Sequence, residues 1–237
     1  MNFHAGQILA FDKPYGWTSF ALVAKVRWLI TQRLGGKKIK VGHAGTLDPL
    51  ATGVMVICTG RATKQIEQLQ SGVKEYIATL QLGATTPSFD LEHPVDATYP
   101  TAHITEALIR ATLPQFTGEI MQVPPAFSAC KVEGKRAYDL ARRGQDVPLK
   151  AKPLRIDEIE LLAFDAEAMQ LTLRIVCSKG TYIRALARDI GQALQSAAHL
   201  TALRRTQVGN YRCEQCFHLE DFEEWLAQQT IETELPQ

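Results

Sequence analysis

The sequence is poor in cysteine, nearly neutral overall, and without a long hydrophobic run. Its five cysteines (Cys58, Cys130, Cys177, Cys213 and Cys216) are an odd number and mostly scattered. That argues against a disulfide framework and makes the reducing cytoplasm the expected compartment. No apolar stretch reaches the roughly 18 residues of a membrane-spanning helix. The opening MNFHAGQILAFDKP has no basic region followed by an apolar one, so no signal peptide is expected. Internal repeats, low-complexity tracts and long Gly/Ser-rich linkers are missing. So are G-x-G-x-x-G, the phosphate-binding G-x-x-x-x-G-K-S/T and the zinc-binding H-E-x-x-H.

What is present is ordinary in amount and unusual in arrangement. The chain has 237 residues, 46% hydrophobic and 22% charged, which excludes a disordered or collagen-like protein. At about 150 residues per domain, one large domain or two small ones are expected, with a core that needs no metal. The net charge of +1 hides segregation. Leu9–Lys64 carries nine Lys/Arg against two acids, and Pro124–Arg155 eight against three. Cys213–Gln237 carries seven acids and no Lys/Arg. Two basic segments permit a face for nucleic acid, although a solvated helix face gives the same pattern.

Local patterns predict a mixed chain. Gln7–Phe11 reads as a strand closed by the Lys13-Pro14-Tyr15-Gly16 turn. Thr18 or Ser19 can cap a helix in which Leu22, Val26, Leu29 and Ile30 recur to about Leu34, before Gly35-Gly36 breaks it. Val54–Cys58 reads as a strand. Tyr76, Ala78, Leu80 and Leu82 alternate with Ile77, Thr79 and Gln81, and Leu171, Leu173, Ile175 and Cys177 alternate likewise, giving two more strands. Thr105–Leu113 reads as a helix. Thr181 can cap another that carries Leu186, Ile190 and Leu194, and Phe222, Trp225 and Leu226 mark a last one. Without a strict βαβ rhythm the expected class is α+β with a largely antiparallel sheet.

Three stretches could carry chemistry. Gly42-His43-Ala44-Gly45-Thr46-Leu47-Asp48-Pro49-Leu50-Ala51-Thr52-Gly53 has no regular period, and Pro49 restricts the backbone of Asp48. A simple Asp-Pro turn is the alternative. Ser178-Lys179-Gly180-Thr181-Tyr182-Ile183-Arg184 leads a strand into a helix start, where Arg184 and Arg188 share a face; a capped surface helix reads the same way. Pro124–Pro153 holds Lys131, Lys135, Arg136, Arg142, Arg143, Lys150 and Lys152 around Tyr138, as a phosphate-contacting arm or a solvated loop would. Tyr76 and Leu203 pass as core residues on pattern alone. Cys213-x-x-Cys216 stands without the further ligands a zinc site needs, so two ordinary thiols are expected.

Taken together, these residues resemble the bacterial tRNA pseudouridine-55 synthase family of the TruB type. The matching blocks are FDKPYGWTS (Phe11–Ser19), GHAGTLDPLATGV (Gly42–Val54), KEYIATLQLG (Lys74–Gly83), VPPAFSACKVEGKRAYDLARRG (Val123–Gly144), SKGTYIRALARDIG (Ser178–Gly191) and HLTALRRTQVGNY (His199–Tyr211). The resemblance implies a pseudouridine synthase fold: a mixed, largely antiparallel sheet flanked by helices, with a mobile basic thumb inserted at about 123–153. It places the catalytic domain at 1–212 and leaves 213–237 as a short acidic tail in place of a full PUA-like module. It implies isomerisation of one T-loop uridine of tRNA, at position 55, without cofactor or metal.

The resemblance also assigns roles. Asp48 is the essential carboxylate, Arg184 the arginine that pairs with it, and Asp90 the acid that helps hold that arginine. Asp90 aligns by spacing after Leu82-Gly83, with Pro87 and Phe89 where the family carries an Asp/Thr-rich run. Tyr182 lies near the uracil C5, Tyr76 stacks on the flipped base, and Leu203 walls the pocket. His43 fills the space the nucleotide leaves, and base flipping costs roughly a few kcal/mol that such contacts offset. Lys131 joins the substrate contacts. The partner implied is the tRNA T-stem loop, with no membrane, no protein partner and a monomeric enzyme. Two alternatives stay open: an RNA-binding or tRNA-folding factor with secondary or lost catalysis, and the same chemistry on another RNA uridine.

Overall fold

The computed structural model describes residues 1–128, 130–132, 135–143 and 148–232, with the backbone alone for 131, 132, 135, 136 and 141. The chain forms two compact units: Met1–Glu75 with Arg204–Gln237, and Tyr76–Leu203. It passes from one to the other inside two strands. The elements in chain order are α+β, as the sequence predicts.

The first unit opens with β1 (Ile8–Lys13) and α1 (Ser19–Arg33). Thr18 is the N-cap of α1, its side chain accepting from the Ala21 N–H. Then come β2 (Val41–His43), β3 (Ala51–Thr59), α2 (Ile66–Ser71) and the start of β4 (Lys74–Leu82). β3 pairs antiparallel with both β1 and β2. Phe11, Met55 and Ile57 from the strands bury against Leu22, Val26 and Ile30 of α1. That matches the helical spacing read from the sequence. Phe20 and Trp28 of the same helix stay exposed.

The second unit continues with β5 (Ala84–Thr85), β6 (Ala97–Thr98), α3 (Glu106–Thr112) and β7 (Gly118–Gln122). Next are β8 (Lys131–Val132), β9 (Lys135–Arg136), α4 (Ala137–Ala141), β10 (Lys152–Asp165), β11 (Gln170–Cys177), α5 (Ile183–Ala193) and β12 (Ala198–Val208). Its strands lie in the order β4-β11-β10-β7. β10 pairs antiparallel with β11 and with β7, and Lys152 sits opposite Gln122. The basic segment between them therefore leaves and returns at adjacent positions. β10 escaped the sequence reading because two register shifts, between Ile156 and Glu158 and between Leu161 and Ala163, interrupt its alternation. The cap of α5 also differs from expectation. Tyr182, not Thr181, is the N-cap, and the Thr181 hydroxyl donates instead to the Ser178 carbonyl.

After β12 the chain is back in the first unit, where β13 (Tyr211–Arg212) and α6 (Leu219–Gln228) complete it. Phe222 and Leu226 of α6 are buried with Phe11 and Leu22, a burial worth roughly 1.5–3 kcal/mol for each side chain. Arg33 at the end of α1 donates to the carbonyls of Leu226, Ala227 and Gln229, satisfying the C-terminus of α6. The acidic segment thus contributes Phe222 and Leu226 to this unit's core, and Lys25 of α1 pairs with Glu223 at 3.9 Å.

Candidate active site

Asp48 sits on the loop that joins β2 to β3. That loop has almost no internal regularity, so other elements hold it through its backbone. Ser19, at the first position of α1, is buried and exchanges two hydrogen bonds with Leu47: its hydroxyl accepts from the Leu47 N–H at 2.9 Å and meets the Leu47 carbonyl at 2.8 Å. The Gly16 N–H donates to the Pro49 carbonyl at 2.9 Å. The Ala51 N–H closes a turn onto the Asp48 carbonyl at 3.1 Å. Both neighbours of Asp48 are therefore fixed to the segment that begins α1.

Two buried cations complete the support. Lys13 is fully buried, and its ammonium donates to the carbonyls of Pro14, Trp17 and Pro49 at 3.0, 2.6 and 3.3 Å. Arg205 is 1% exposed and donates from Nε to the Val54 carbonyl at 2.8 Å, and from its two terminal nitrogens to Thr46 and Gly45 at 3.4 and 3.1 Å. Burial lowers Lys13 to about 8, with the nearby Arg205 charge acting in the same sense and the Asp48 and Asp12 carboxylates opposing. Gly53 ends the loop with φ +105, and a Cβ there would lie 2.1 Å from the Arg205 carbonyl oxygen. Only glycine allows that approach of β3 to residue 205.

His43 ends β2 and is half-buried. Burial lowers its pKa, the Arg205 charge lowers it further, and a backbone hydrogen bond involving Gly45 opposes them. The net effect favours the neutral imidazole, whose Nδ1 is buried without a hydrogen-bond partner among the described residues. The first unit thus gathers His43 and Asp48 on one braced loop. It adds Lys13, Ser19 and Arg205, which the sequence reading did not single out. Lys13 and Arg205 lie inside the family-like blocks, and the Arg204-Arg205 pair among the apolar residues of 198–208 is the signal that could have exposed Arg205.

In the second unit the centre is Arg184, in the first turn of α5 and 5% exposed. Its Nε lies 3.6 Å from a carboxylate oxygen of Asp90, which is itself buried. Its terminal nitrogens donate to the Ser88 carbonyl at 3.1 Å and the Phe127 carbonyl at 2.9 Å. Asp90 also accepts from the Glu92 N–H at 3.0 Å, and the Thr86 hydroxyl donates to the Asp90 carbonyl at 2.7 Å. Between Ser88 and Asp90, Phe89 adopts φ +61, a left-handed conformation rare for a bulky residue. Its N–H donates to Thr86, its carbonyl accepts from Leu200, and its ring lies 5.0 Å from the Arg188 guanidinium. These contacts over-determine the turn and aim both the Ser88 carbonyl and the Asp90 carboxylate at Arg184.

Tyr182 is clamped by the buried Gln122 side chain. The Tyr182 N–H donates to Oε1 at 2.9 Å, and Nε2 donates to the Tyr182 carbonyl at 3.2 Å. Burial raises the phenol pKa, a hydrogen bond with Ser128 and the Arg184 and Lys152 charges oppose, and Cys130 adds to the rise. Tyr76 is 8% exposed on β4, and Leu203 is half-buried on β12. The structure therefore joins Asp90, Arg184 and the 127–128 segment, and sets Tyr182 beside Ser128. Lys131 lies on β8, and its side chain is outside the described residues. Gln122 and Ser128 were not anticipated. No group of three or more His, Cys, Asp or Glu among the described residues could hold a metal ion. Cys213 and Cys216 are free thiols, with burial pushing Cys216 up to about 12.

This architecture is that of the pseudouridine synthases. One similar solved structure, a Cbf5-Nop10-Gar1 complex, gives a TM-score of 0.69 at 30% identity, covering 94% of this chain and 55% of that one. An H/ACA RNP bound to a substrate RNA containing 2'-deoxyuridine gives 0.65 at 27% identity, covering 92% and 52%. The chain thus spans about half the length of those two. Within the class, residues 32–183 match the N-terminal domain model of TruB family pseudouridylate synthases, and residues 184–237 match the tRNA pseudouridylate synthase B C-terminal domain. The chain belongs to the TruB family. It is 67% identical to the tRNA pseudouridine synthase B of Phocaeicola vulgatus, over 98% of each chain. It is 64% identical to that of Bacteroides thetaiotaomicron, over 99% of this chain and 98% of the other.

Proposed function

We propose that the chain is a tRNA pseudouridine synthase that isomerises uridine to pseudouridine at position 55 of the tRNA T-loop. The observation that carries this reading is the 67% identity, across nearly the whole of both chains, to a protein named tRNA pseudouridine synthase B. In the reaction the bond from C1′ to uracil N1 breaks and a bond from C1′ to C5 forms. The C5 proton leaves and N1 gains one, so substrate and product are isomers and no net electrons are exchanged.

Asp48 is the essential carboxylate, and the braced loop around it supports that role. A reacting group must be held to a fraction of an ångström, and the backbone bonds of Leu47 and Pro49 fix the position of Asp48 from both sides. Arg184 supplies the guanidinium of the reaction, oriented by Asp90. Tyr182 acts near C5, where a half-buried phenol whose pKa is raised favours the protonated form and can donate a hydrogen bond or relay a proton. Tyr76 stacks on the flipped uracil, Leu203 walls the pocket, and His43 occupies the vacated space. A neutral imidazole suits that role, since it can enter a stack without a charge to desolvate. Lys131 and the basic 123–153 thumb contact phosphates of the T-stem loop. The enzyme works as a cytoplasmic monomer without a cofactor. The described residues include no helix long and apolar enough to cross a membrane.

Tritium release from C5-labelled, unmodified tRNA tests the reading. Wild type should release tritium, and release should vanish when uridine 55 is replaced by cytidine. Absence of release by a protein that binds tRNA would overturn the enzyme reading; release that survives the replacement would move the target.

A further inference from the structure

The loop carrying Asp48 is fixed to a segment with two exposed aromatic rings that the roles above leave unused. Tyr15 is 60% exposed and Phe20 is 72% exposed. Each adjoins a residue that anchors a neighbour of Asp48. Gly16, beside Tyr15, donates to the Pro49 carbonyl, and Ser19, beside Phe20, holds Leu47 by both its backbone groups. The buried Lys13 ammonium ties the same turn together by bonding Pro14, Trp17 and Pro49. Residues 13–20 and 47–49 are therefore tied into one hydrogen-bonded ledge that carries both exposed rings and Asp48.

We propose that Tyr15 and Phe20 are substrate-binding residues that stack on unpaired bases next to the target uridine. This rests on the tRNA reading above. Large exposed rings are expensive to leave in water and are sequence-tolerant platforms for bases, whose π-faces are always available once a loop is splayed. The charge of the segment that carries them favours a nucleic acid over an apolar protein face. Leu9–Lys64 carries nine Lys/Arg against two acids. One of those acids, Asp12, is neutralised by a two-pronged pair with Arg204 at 3.1 and 2.6 Å. Rings on such a ledge add affinity and register without touching the reacting atoms, so their loss appears in binding and KM rather than in turnover of bound tRNA.

The test uses the full chain with unmodified tRNA and, separately, with a T-stem-loop hairpin. Tyr15→Ala and Phe20→Ala should each weaken binding roughly tenfold, equally on both RNAs, with single-turnover tritium release at saturation changed less than about twofold. Tyr15→Phe and Phe20→Trp should bind like wild type. Trp28→Ala, an exposed ring two turns further along α1, should have no effect on either RNA. Wild-type binding by the Tyr15→Ala/Phe20→Ala double variant would overturn the proposal and leave the rings to a protein partner. So would a loss seen on full tRNA but not on the hairpin, which would place the contact away from the T-loop. Either result leaves the wild-type release assay intact, whereas silence of wild type itself would remove the tRNA reading on which the proposal rests.

Discussion

The two units position their principal charged side chains in opposite ways. In the first, the proposed reacting group is a carboxylate, and the cations beneath it bond backbone carbonyls. Lys13 and Arg205 spend their donors on six carbonyls, namely Pro14, Trp17, Pro49, Val54, Thr46 and Gly45. In the second, the proposed functional group is a cation, Arg184, and a carboxylate is part of its support, with Asp90 at 3.6 Å beside the Ser88 and Phe127 carbonyls. Carbonyls supply directional bonds that fix the cations, and through them the Asp48 loop, in place. A buried carboxylate supplies an opposite charge that offsets the cost of desolvating a guanidinium. One arrangement shapes a loop that has no secondary structure of its own. The other tolerates a buried charge at the start of a regular helix.

The sharpest test of the contrast is catalytic. Asp48→Asn keeps the size and the backbone bonds of the loop but removes the anion. Tritium release should fall more than about 10³-fold while tRNA binding changes less than about threefold. Near-normal release would break the assignment of Asp48 and with it the reason for bracing this loop.

Next in size is the buried ion pair. Arg184→Gln should destabilise the protein by about 3–5 kcal/mol in urea titration, because Asp90 is left buried without its cation. Asp90→Asn/Arg184→Gln should recover part of that loss. No recovery in the double variant would mean that the carbonyl bonds, not the ion pair, dominate here as they do in the first unit.

Lys13 gives the first unit a pH signature of its own. Its folded-state pKa of about 8 lies below the ordinary 10.5, so the unfolded chain binds more protons between those values. Stability from this group is therefore lowest below pH 8 and rises as pH climbs toward 10.5. The wild-type stability minus that of Lys13→Met should increase by about 2–3 kcal/mol across that window. A flat difference would show that the ammonium is better solvated than its burial indicates.

The smallest effect sharpens the contrast from the other side. Glu92 and Arg142 pair at 3.4 Å with side chains 41% and 64% exposed. Glu92→Gln should change thermal stability by less than about 0.5 kcal/mol, since solvent and salt screen such pairs. A larger loss would make this contact with the thumb segment a structural member comparable to the buried pair.

Much of this was legible from sequence where the cause is local. Thr18 caps α1 through a bond three residues long, and the alternation of β4 and β11 follows from one buried face each. The Asp48 loop stood out by its lack of period, and the family-like blocks supplied its proposed role. The same local reasoning chose Thr181 over Tyr182 as the cap of α5, because the Gln122 clamp that sets the Tyr182 backbone comes from 60 residues away. It passed over β10, whose two register shifts blur a period of two.

By itself, then, the sequence determined the main helices, the regularly alternating strands, the α+β class and the family. Those depend on capping, periodicity and residue order, which act within a few positions. Tertiary structure alone decided how the functional groups are held. Arg205 reaches the Gly45 carbonyl from 160 residues away, Arg184 reaches the Ser88 carbonyl from 96, and the left-handed turn at Phe89 is sustained by contacts to Leu200 and Arg188. A buried guanidinium must find acceptors wherever the fold brings carbonyls to it, and no spacing along the chain records which carbonyls those will be.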